Sequence, residues 1–136
     1  MNISLIKESK VSSPEIKTLC DEYIKRSKRY MSISANAGQK ALKKSDTFLV
    51  TLDENGKNLS SLQWSELLKS KVDDPAVKGL AFIVGGAHGL SDIKQQANLC
   101  LRISPMVLSG DIAWLVLHEQ IYRALSILNG SKYHHA

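Results

Sequence analysis

The spacing of apolar residues divides the chain into alternating strands and helices. Residues 2–6 alternate polar and apolar side chains, as a strand with one buried face does. Residues 48–52 and 80–84 are continuous apolar runs, which are typical of parallel strands buried on both faces. Residues 101–103 indicate a further strand, and residues 33–44 favour a weak strand followed by one or two helical turns.

Helical spacing and end signals predict four longer helices. Apolar residues recur at helical spacing over residues 16–30, after a Ser-Pro pair in which Ser13 suits the N-cap and the proline suits the first turn. Residues 60–63 resemble a capping box and introduce a second helix. A third helix is predicted over residues 93–99, and the last over residues 111–128, where an Asn-Gly pair ends it.

The alternation of these elements predicts the α/β class, with a mostly parallel sheet flanked by helices. The length of 136 residues, 43% of them apolar, suits a single domain spanning 1–136. Asn55-Gly56 predicts a turn directly after the strand at 48–52. Residues 112–117 of the last helix are all apolar, so we expect this helix to be buried on two sides, with another subunit on the second side.

Charge and composition restrict the setting of the protein more than its chemistry. The chain has 18 Lys and Arg against 13 Asp and Glu, and the net charge of +5 suits a polyanionic partner without identifying one. No run approaches the roughly 20 apolar residues of a membrane span, and residues 1–10 lack the apolar segment of a secretion signal. Cys20 and Cys100 lie far apart and are expected to be buried thiols in a reducing compartment. We therefore expect a cytoplasmic protein.

Glycines follow two of the predicted strands at the edge where ligands bind to open α/β sheets. One strand leads from Leu52 to Gly56, and the next leads into Gly85, Gly86 and Gly89. Glycines there allow the backbone to approach a ligand closely. The spacing is not G-x-G-x-x-G, so a dinucleotide site is disfavoured. The local chemistry leaves open whether this glycine segment is a ligand loop or a structural turn.

Polar and aromatic residues gather near the end of the chain. Glu119 and Arg123 are spaced i and i+4, as in an ordinary intrahelical ion pair. His118 lies on an apolar helix and is expected to be a hydrogen-bonded packing residue, and the histidines at 134–135 are compatible with a frayed end. Neither a Ser/His/Asp spacing nor a metal-binding constellation is recognisable, which disfavours hydrolase chemistry and a metal.

Four short motifs occur in a definite order along the chain. They are Asp21-Glu22-Tyr23-x-Lys25-Arg26 with Tyr30; Thr51-Leu52-Asp53-x-x-Gly56-Lys57 with Ser60-Ser61; Phe82-Ile83-Val84-Gly85-Gly86-x-x-Gly89-Leu90; and Glu119-Gln120-Ile121-Tyr122-Arg123-Ala124 with Gly130 and Tyr133-His134. Together they resemble the bacterial ribosomal RNA large-subunit pseudouridine N3 methyltransferases of the SPOUT, or α/β knot, superfamily. The resemblance spans nearly the whole chain.

The resemblance implies a fold and an activity. The C-terminal part of the chain would thread through a loop to form a trefoil knot, a rare exception to unknotted topology. The protein would be a homodimer that binds S-adenosylmethionine in the knot. It would methylate N3 of a pseudouridine in large-subunit ribosomal RNA within the assembled ribosome, without a metal or a membrane partner.

Site residues follow from the same resemblance by position. The cofactor pocket would be formed by Leu52, Gly85, Gly86, Ile103, Ser104, Pro105, Met106, Val107 and Leu108. His134, Glu119 and His88 are the candidates for a base or an orienting group, and Arg123 would steady a phosphate or a developing charge.

The chain departs from the family pattern in two places. Where the family usually reads Thr-Phe-Pro-His-x-x-x-Arg, residues 107–114 place Gly110 and Trp114 at the positions of the histidine and the arginine. The region before Phe48 is shortened by roughly two dozen residues relative to that pattern, which removes part of a surface loop. Two alternatives to the enzyme are a non-catalytic ribosome or RNA-binding protein that retains the knot, and a small nucleotide-binding α/β protein.

Overall fold

The computed structural model describes residues 1–37, 46–85 and 96–135, which form a five-stranded sheet and three helices. In chain order the elements are β1 (Asn2–Lys7), α1 (Pro14–Ser27), β2 (Ser32–Ala37), β3 (Thr47–Asn58), α2 (Ser61–Val72), β4 (Gly79–Val84), β5 (Leu99–Arg102) and α3 (Gly110–Leu128). The predicted α/β class with a parallel sheet is confirmed.

All strand pairs in the sheet are parallel, and the strand order is β2-β1-β4-β3-β5. The continuous apolar run of β4 lies at the centre, where both faces of the strand are covered. Because the strands are parallel, their carboxyl ends meet at one edge of the sheet. Leu52 and Val84, after which the two glycine-containing segments begin, lie at that edge.

Local sequence signals set the helix ends. The Ser13 hydroxyl accepts the Ile16 N–H at the start of α1. Ser60 and Gln63 form a reciprocal capping box at the start of α2, as predicted. Helix α3 ends before Gly130, whose φ of 70° is the left-handed conformation that glycine adopts without strain.

Two apolar clusters cover the two faces of the sheet. The larger cluster joins one face to all three described helices, with Phe82 of β4 stacked on Trp64 of α2 at 5.8 Å between ring centroids. The smaller cluster consists of Ile6, Leu49, Ala81 and Ile83 on the opposite face. Alternating residues of the same strands therefore supply both clusters, as the two-residue period of a strand requires.

Helix α3 packs between α1 and α2 and is only partly enclosed. Trp114 and Leu117 are buried, whereas Ile112 is 42% exposed and Leu115 and Val116 are half-buried. In the single chain this helix is therefore buried on one side, and burial of its second side by another subunit stays a prediction.

Two sequence-based predictions are wrong. Asn55-Gly56 does not end a strand, because β3 continues to Asn58 with a shift of register against β5 between Leu52 and Lys57. Leu99 begins β5 instead of ending a helix, because its backbone pairs with Val50. Residues 96–98 are not helical either, whereas residues 93–95 of this predicted helix and residues 38–45 after β2 lie outside the described residues.

The two cysteines are free, as expected. Cys20 lies on the buried side of α1, and burial raises its pKa to about 12. Cys100 is half-buried in β5, so the prediction of burial is met fully only for Cys20.

Candidate functional site

Register across the sheet places four residues in a row at its carboxyl edge. Lys7 of β1 pairs with Val84 of β4, Val84 pairs with Leu52 of β3, and Leu52 pairs with Leu101 of β5. The chain leaves the sheet just beyond this row at Gly85 and at Ile103. These exits produce a concave surface between the strand ends and the first turn of α3.

A cavity of about 750 Å³ occupies this surface. Its size is within the range of small-molecule and cofactor sites. It is lined by Lys7, Ser9, Lys10, Ser12, Leu52, Asp53, Glu54, Val84, Gly85, Arg102, Ile103, Ser104, Met106, Val107, Leu108, Ser109, Gly110, Asp111 and Ala113. The mixture of apolar walls, charged groups and accessible backbone suits a ligand with both an aromatic and a charged part.

Most residues predicted for the cofactor lie on this cavity. They are Leu52, Gly85, Ile103, Ser104, Met106, Val107 and Leu108. Pro105 belongs to the same segment but is exposed and does not line the cavity. Gly86 and His88 lie outside the described residues.

The segment between β5 and α3 forms one wall of the cavity. The Ser104 hydroxyl accepts the Met106 N–H, and the Ser109 hydroxyl accepts the Ile112 N–H to cap α3. Met106 and Val107 are 72% and 79% exposed, so two apolar side chains stand at the cavity rim without protein cover. Exposed apolar groups beside a cavity favour contact with a ligand, a substrate or a second subunit.

The position of β5, and with it this wall, depends on Gly56. A β-carbon at position 56 would lie 2.3 Å from the carbonyl carbon of Leu101, well below van der Waals contact. Only glycine lets the two backbones approach this closely. The glycine of the Thr-Leu-Asp-x-x-Gly motif therefore has a packing function at the site.

Sequence reasoning missed a charged network on the opposite wall. The Lys7 ammonium donates to the Ser9 hydroxyl at 2.7 Å and lies 3.5 Å from the carboxylate of Asp111. The other oxygen of that carboxylate accepts the backbone N–H groups of Ser12 and Ser13 at 2.9 and 3.0 Å. The available signal was a lysine at the end of β1, in step with the apolar Ile3 and Leu5 of the alternating pattern.

The network favours the ionised form of Asp111. Desolvation opposes ionisation, but the N–H groups of Ser13 and Ser12 and the charge of Lys7 outweigh it, so the pKa of Asp111 lies below its usual value. The carboxylate therefore ties the start of α1 to the first turn of α3 at neutral pH.

Among the three candidate catalytic residues that the structure describes, Arg123 contacts both Glu119 and His134. Arg123 Nε lies 3.2 Å from Glu119 Oε2, and Arg123 Nη1 lies 3.1 Å from His134 Nδ1. Arginine only donates hydrogen bonds, so His134 Nδ1 is the acceptor and the ring proton is on Nε2. His134 is therefore docked on α3 and presents an N–H donor. Its lone pair becomes available to a base function only when Arg123 moves away.

Neighbouring groups hold this trio in place. Gln120 donates to Glu119 at 2.9 Å and accepts from the Ser61 hydroxyl of α2 at 2.7 Å. The Arg123 guanidinium stacks over the Tyr133 ring, 4.8 Å from its centroid. Burial and a hydrogen bond to Tyr23 raise the pKa of Tyr133 to about 12, so this phenol stays protonated.

Within one chain, the trio and the cavity are separate. Gly110 borders the cavity at the first turn of α3, and Arg123 lies near the other end of the same helix. Thirteen residues at 1.5 Å per residue put them about 20 Å apart along the axis. A single chain therefore does not bring the predicted catalytic residues to the predicted cofactor residues.

Trp114 and His118 are core residues. Trp114 is 4% exposed and His118 is 2% exposed, with their rings edge-to-face at 4.5 Å. His118 Nδ1 lies 2.7 Å from the Trp114 carbonyl oxygen, which this nitrogen approaches as a donor, and burial lowers the pKa of His118. The prediction that His118 is a hydrogen-bonded packing residue is confirmed.

The described residues contain no group of three His, Cys, Asp or Glu side chains placed to hold a metal ion. Among the described residues, no helix has the length and hydropathy to cross a membrane.

Comparison with known proteins assigns this arrangement to a family. The family described as predicted SPOUT methyltransferase matches residues 1–134. The chain belongs to the SPOUT methyltransferase family. Membership implies the knotted α/β fold and methyl-transfer chemistry, and so supports the resemblance seen in the motifs.

Individual relatives agree with the family. The chain is 34% identical to the ribosomal RNA large subunit methyltransferase H of Dictyoglomus thermophilum over 154 residues, covering 99% of this chain and all of the relative. It is 33% identical to the protein of the same name from Solidesulfovibrio magneticus over 152 residues, covering 98% of each chain. A putative RNA methyltransferase of Arabidopsis thaliana is 42% identical over 92 residues, which are 67% of this chain and 47% of the relative.

Alignment length bears on the predicted shortening. The alignments with the two bacterial relatives run over more residues than the 136 of this chain, so this SPOUT protein has gaps relative to both. That the missing residues lie before Phe48 stays a prediction.

Proposed function

We propose that this SPOUT protein transfers a methyl group from S-adenosylmethionine to N3 of a pseudouridine in large-subunit ribosomal RNA, within the assembled ribosome. The observation that carries the proposal is the cavity at the carboxyl edge of the sheet, lined by residues that the family motif assigns to the cofactor. The printed names of the bacterial relatives supply the substrate class. A cytoplasmic location follows from an assembled ribosome as substrate.

The cavity fits the proposed cofactor chemically. Leu52, Ile103 and Leu108 offer apolar walls for a purine ring, and the backbone at Gly85 offers hydrogen-bonding groups for its edge. The carboxylates of Asp53 and Glu54 suit a ligand that carries ribose hydroxyls and a positive charge. When bound, S-adenosylmethionine supplies an activated methyl group, so the protein has to align the RNA base and accept its N3 proton.

A homodimer would complete the site. A groove of about 250 Å³ between α1 and α3 is lined by Leu19, Tyr23, Leu115, Val116 and Glu119, and Leu19 is 49% exposed. The midpoint between residues 110 and 123 falls between Val116, which lines this groove, and Leu117. An antiparallel two-fold contact centred there would place Arg123 of one protomer near Gly110 of its partner. The apolar groove and the separated trio thus support the same assembly.

In this assembly the trio would act on the RNA. Arg123 is positioned by Glu119 and would pair with a phosphate or a developing charge, and His134 would donate from Nε2 to the base or orient it. Release of Nδ1 from Arg123 would make His134 an acceptor for the N3 proton.

Methyl transfer to defined particles tests this function. Tritiated S-adenosylmethionine is incubated with the protein and ribosomes from a strain lacking it, with free subunits and bare ribosomal RNA in parallel. We expect label in one large-subunit pseudouridine and only with assembled particles. Failure to label any substrate, despite measurable cofactor affinity, would favour the non-catalytic RNA-binding alternative. Burial of Trp114, which replaces the arginine of the family pattern, is the observation that favours that alternative.

A further inference from the structure

Lys7 is a cation on the cavity wall that lies outside the four motifs of the family resemblance. Lys7 ends β1 and is 2% exposed. Lysine is rarely buried to this extent, because removing an ammonium group from water is costly unless strong partners replace the water. The partners of Lys7 therefore decide whether its function is only structural.

The partners that the described residues offer do not saturate the ammonium group. Its contact with the Ser9 hydroxyl is short, at 2.7 Å. The other two acceptors, the Ser9 carbonyl oxygen and Asp111 Oδ1, lie at 3.4 and 3.5 Å. A charge-assisted N–H···O bond is usually about 2.7–2.9 Å long. Among the described residues, one acceptor lies within that range of the three N–H donors, and Lys7 lines the cavity.

Gly110 gives the ammonium group its space. A β-carbon at position 110 would lie 3.6 Å from Lys7 Nζ, which is an ordinary contact. A longer side chain in that direction would reach into the volume of the ammonium group. The histidine that the family pattern has at this position and a lysine at position 7 therefore compete for the same space.

We propose that Lys7 binds an anionic oxygen group of the ligand in this cavity, and that it replaces the side chain absent at Gly110. The proposal rests on the proposed function, since it takes the cavity as the cofactor and substrate site. The anionic group has two sources, the carboxylate of the amino-acid part of the cofactor or a phosphate of the RNA. Lys10 and Arg102 also line the cavity, but neither is as fully buried as Lys7, since Lys10 is exposed and Arg102 is half-buried.

Calorimetry on Lys7→Met separates these sources. The probes are S-adenosylhomocysteine, which has the carboxylate, and methylthioadenosine, which lacks it. If Lys7 binds the carboxylate, the affinity of the variant for S-adenosylhomocysteine is about ten- to a hundredfold lower, because a hydrogen bond to a charged group is lost. Its affinity for methylthioadenosine stays unchanged. If it binds a phosphate, the affinities for both small ligands stay unchanged and the affinity for the assembled ribosome falls about tenfold. Lys78→Met removes the same charge at the amino end of β4 and is the control.

Two results would overturn the proposal. One is an equal loss of affinity for both small ligands, which a collapsed cavity would cause. The other is that Lys7→Met and Lys78→Met have the same affinities for S-adenosylhomocysteine, methylthioadenosine and the assembled ribosome. These readouts measure binding, so a chain that binds S-adenosylhomocysteine but transfers no methyl group would refute the proposed function and still decide the function of Lys7.

A double-mutant cycle tests whether Lys7 takes the place of the side chain that is absent at Gly110. Gly110→His alone should weaken S-adenosylhomocysteine, because the imidazole collides with Lys7. The double variant with Lys7→Met should bind more tightly than the sum of the two single effects predicts. Additive effects would show that the two positions are independent and would overturn this part of the proposal.

Discussion

Gly56→Ala is predicted to loosen the join between β3 and β5 that positions one wall of the cavity. The new β-carbon would lie 2.3 Å from the Leu101 carbonyl carbon, 2.4 Å from its oxygen and 2.8 Å from its Cα. Ordinary contacts begin at 3.4 Å, so the two backbones have to separate by about 1 Å. All three clashing atoms belong to the backbone, so a rotamer change cannot relieve them.

The size of the effect follows from this clash. Overpacking that forces a backbone shift costs typically about 1–3 kcal/mol. Replacing glycine by alanine also restricts the unfolded chain, which stabilises by about 0.4–1 kcal/mol and offsets part of the loss. For a domain of this length, a net loss of about 1–2 kcal/mol lowers the melting temperature by about 3–7 °C.

Urea denaturation measures the effect on the free energy of unfolding, and titration calorimetry measures the effect on ligand binding. We expect a lower free energy of unfolding, and weaker binding of S-adenosylhomocysteine because Ile103 and the residues after it follow directly from β5. Gly79→Ala is the matched control, since a β-carbon there meets its nearest atoms, Asn2 O and Thr47 Oγ1, at 3.4 Å. A Gly56→Ala protein within about 0.5 kcal/mol of Gly79→Ala, with unchanged affinity, would refute the packing function of Gly56.

Three further outcomes are expected. Leu115→Lys adds a charge to the apolar groove and should give monomers in sedimentation; a stable, active dimer would remove α3 from the proposed interface. His134→Ala should lower the single-turnover rate of methyl transfer more than it lowers cofactor affinity, and an unchanged rate would exclude His134 from the reaction. The pKa of His118 is lowered by burial, so the unfolded state takes up the proton first as pH falls through about 6.5 and stability decreases in that range. Between pH 8 and 5, the free energy of unfolding should decrease less in His118→Leu than in the unmodified protein. An equal pH dependence in both proteins would contradict the assignment of His118 as neutral and buried.

Helix ends and buried strands were predictable because their signals are local. The Ser13 cap, the Ser60–Gln63 capping box and the stop before Gly130 all act within one turn of the chain, and the structure contains each of them. The errors at Asn55-Gly56 and Leu99 have the opposite cause. Both segments take their conformation from pairing with a strand distant in sequence, and that pairing overrides the local turn and helix signals.

Motif order together with family resemblance also indicated most of the cavity wall, since loops after parallel strands meet at one edge whatever the strand order. The charged part of that wall was not predictable. Asp111 caps the start of α1 from 99 residues away, and Lys7 meets Gly110 only because β1 and the first turn of α3 converge at that edge.

The amino-acid sequence by itself thus determined the class of the fold and the ends of its helices, and its resemblance to a family indicated the apolar residues of the site. The tertiary structure alone decided the strand order, the register shift at Gly56, the burial of Lys7 and the distance between the cavity and Arg123. The physical reason is the range of the interactions: capping and periodicity act between near neighbours in the chain, whereas burial and charge pairing depend on which distant segments the fold brings together.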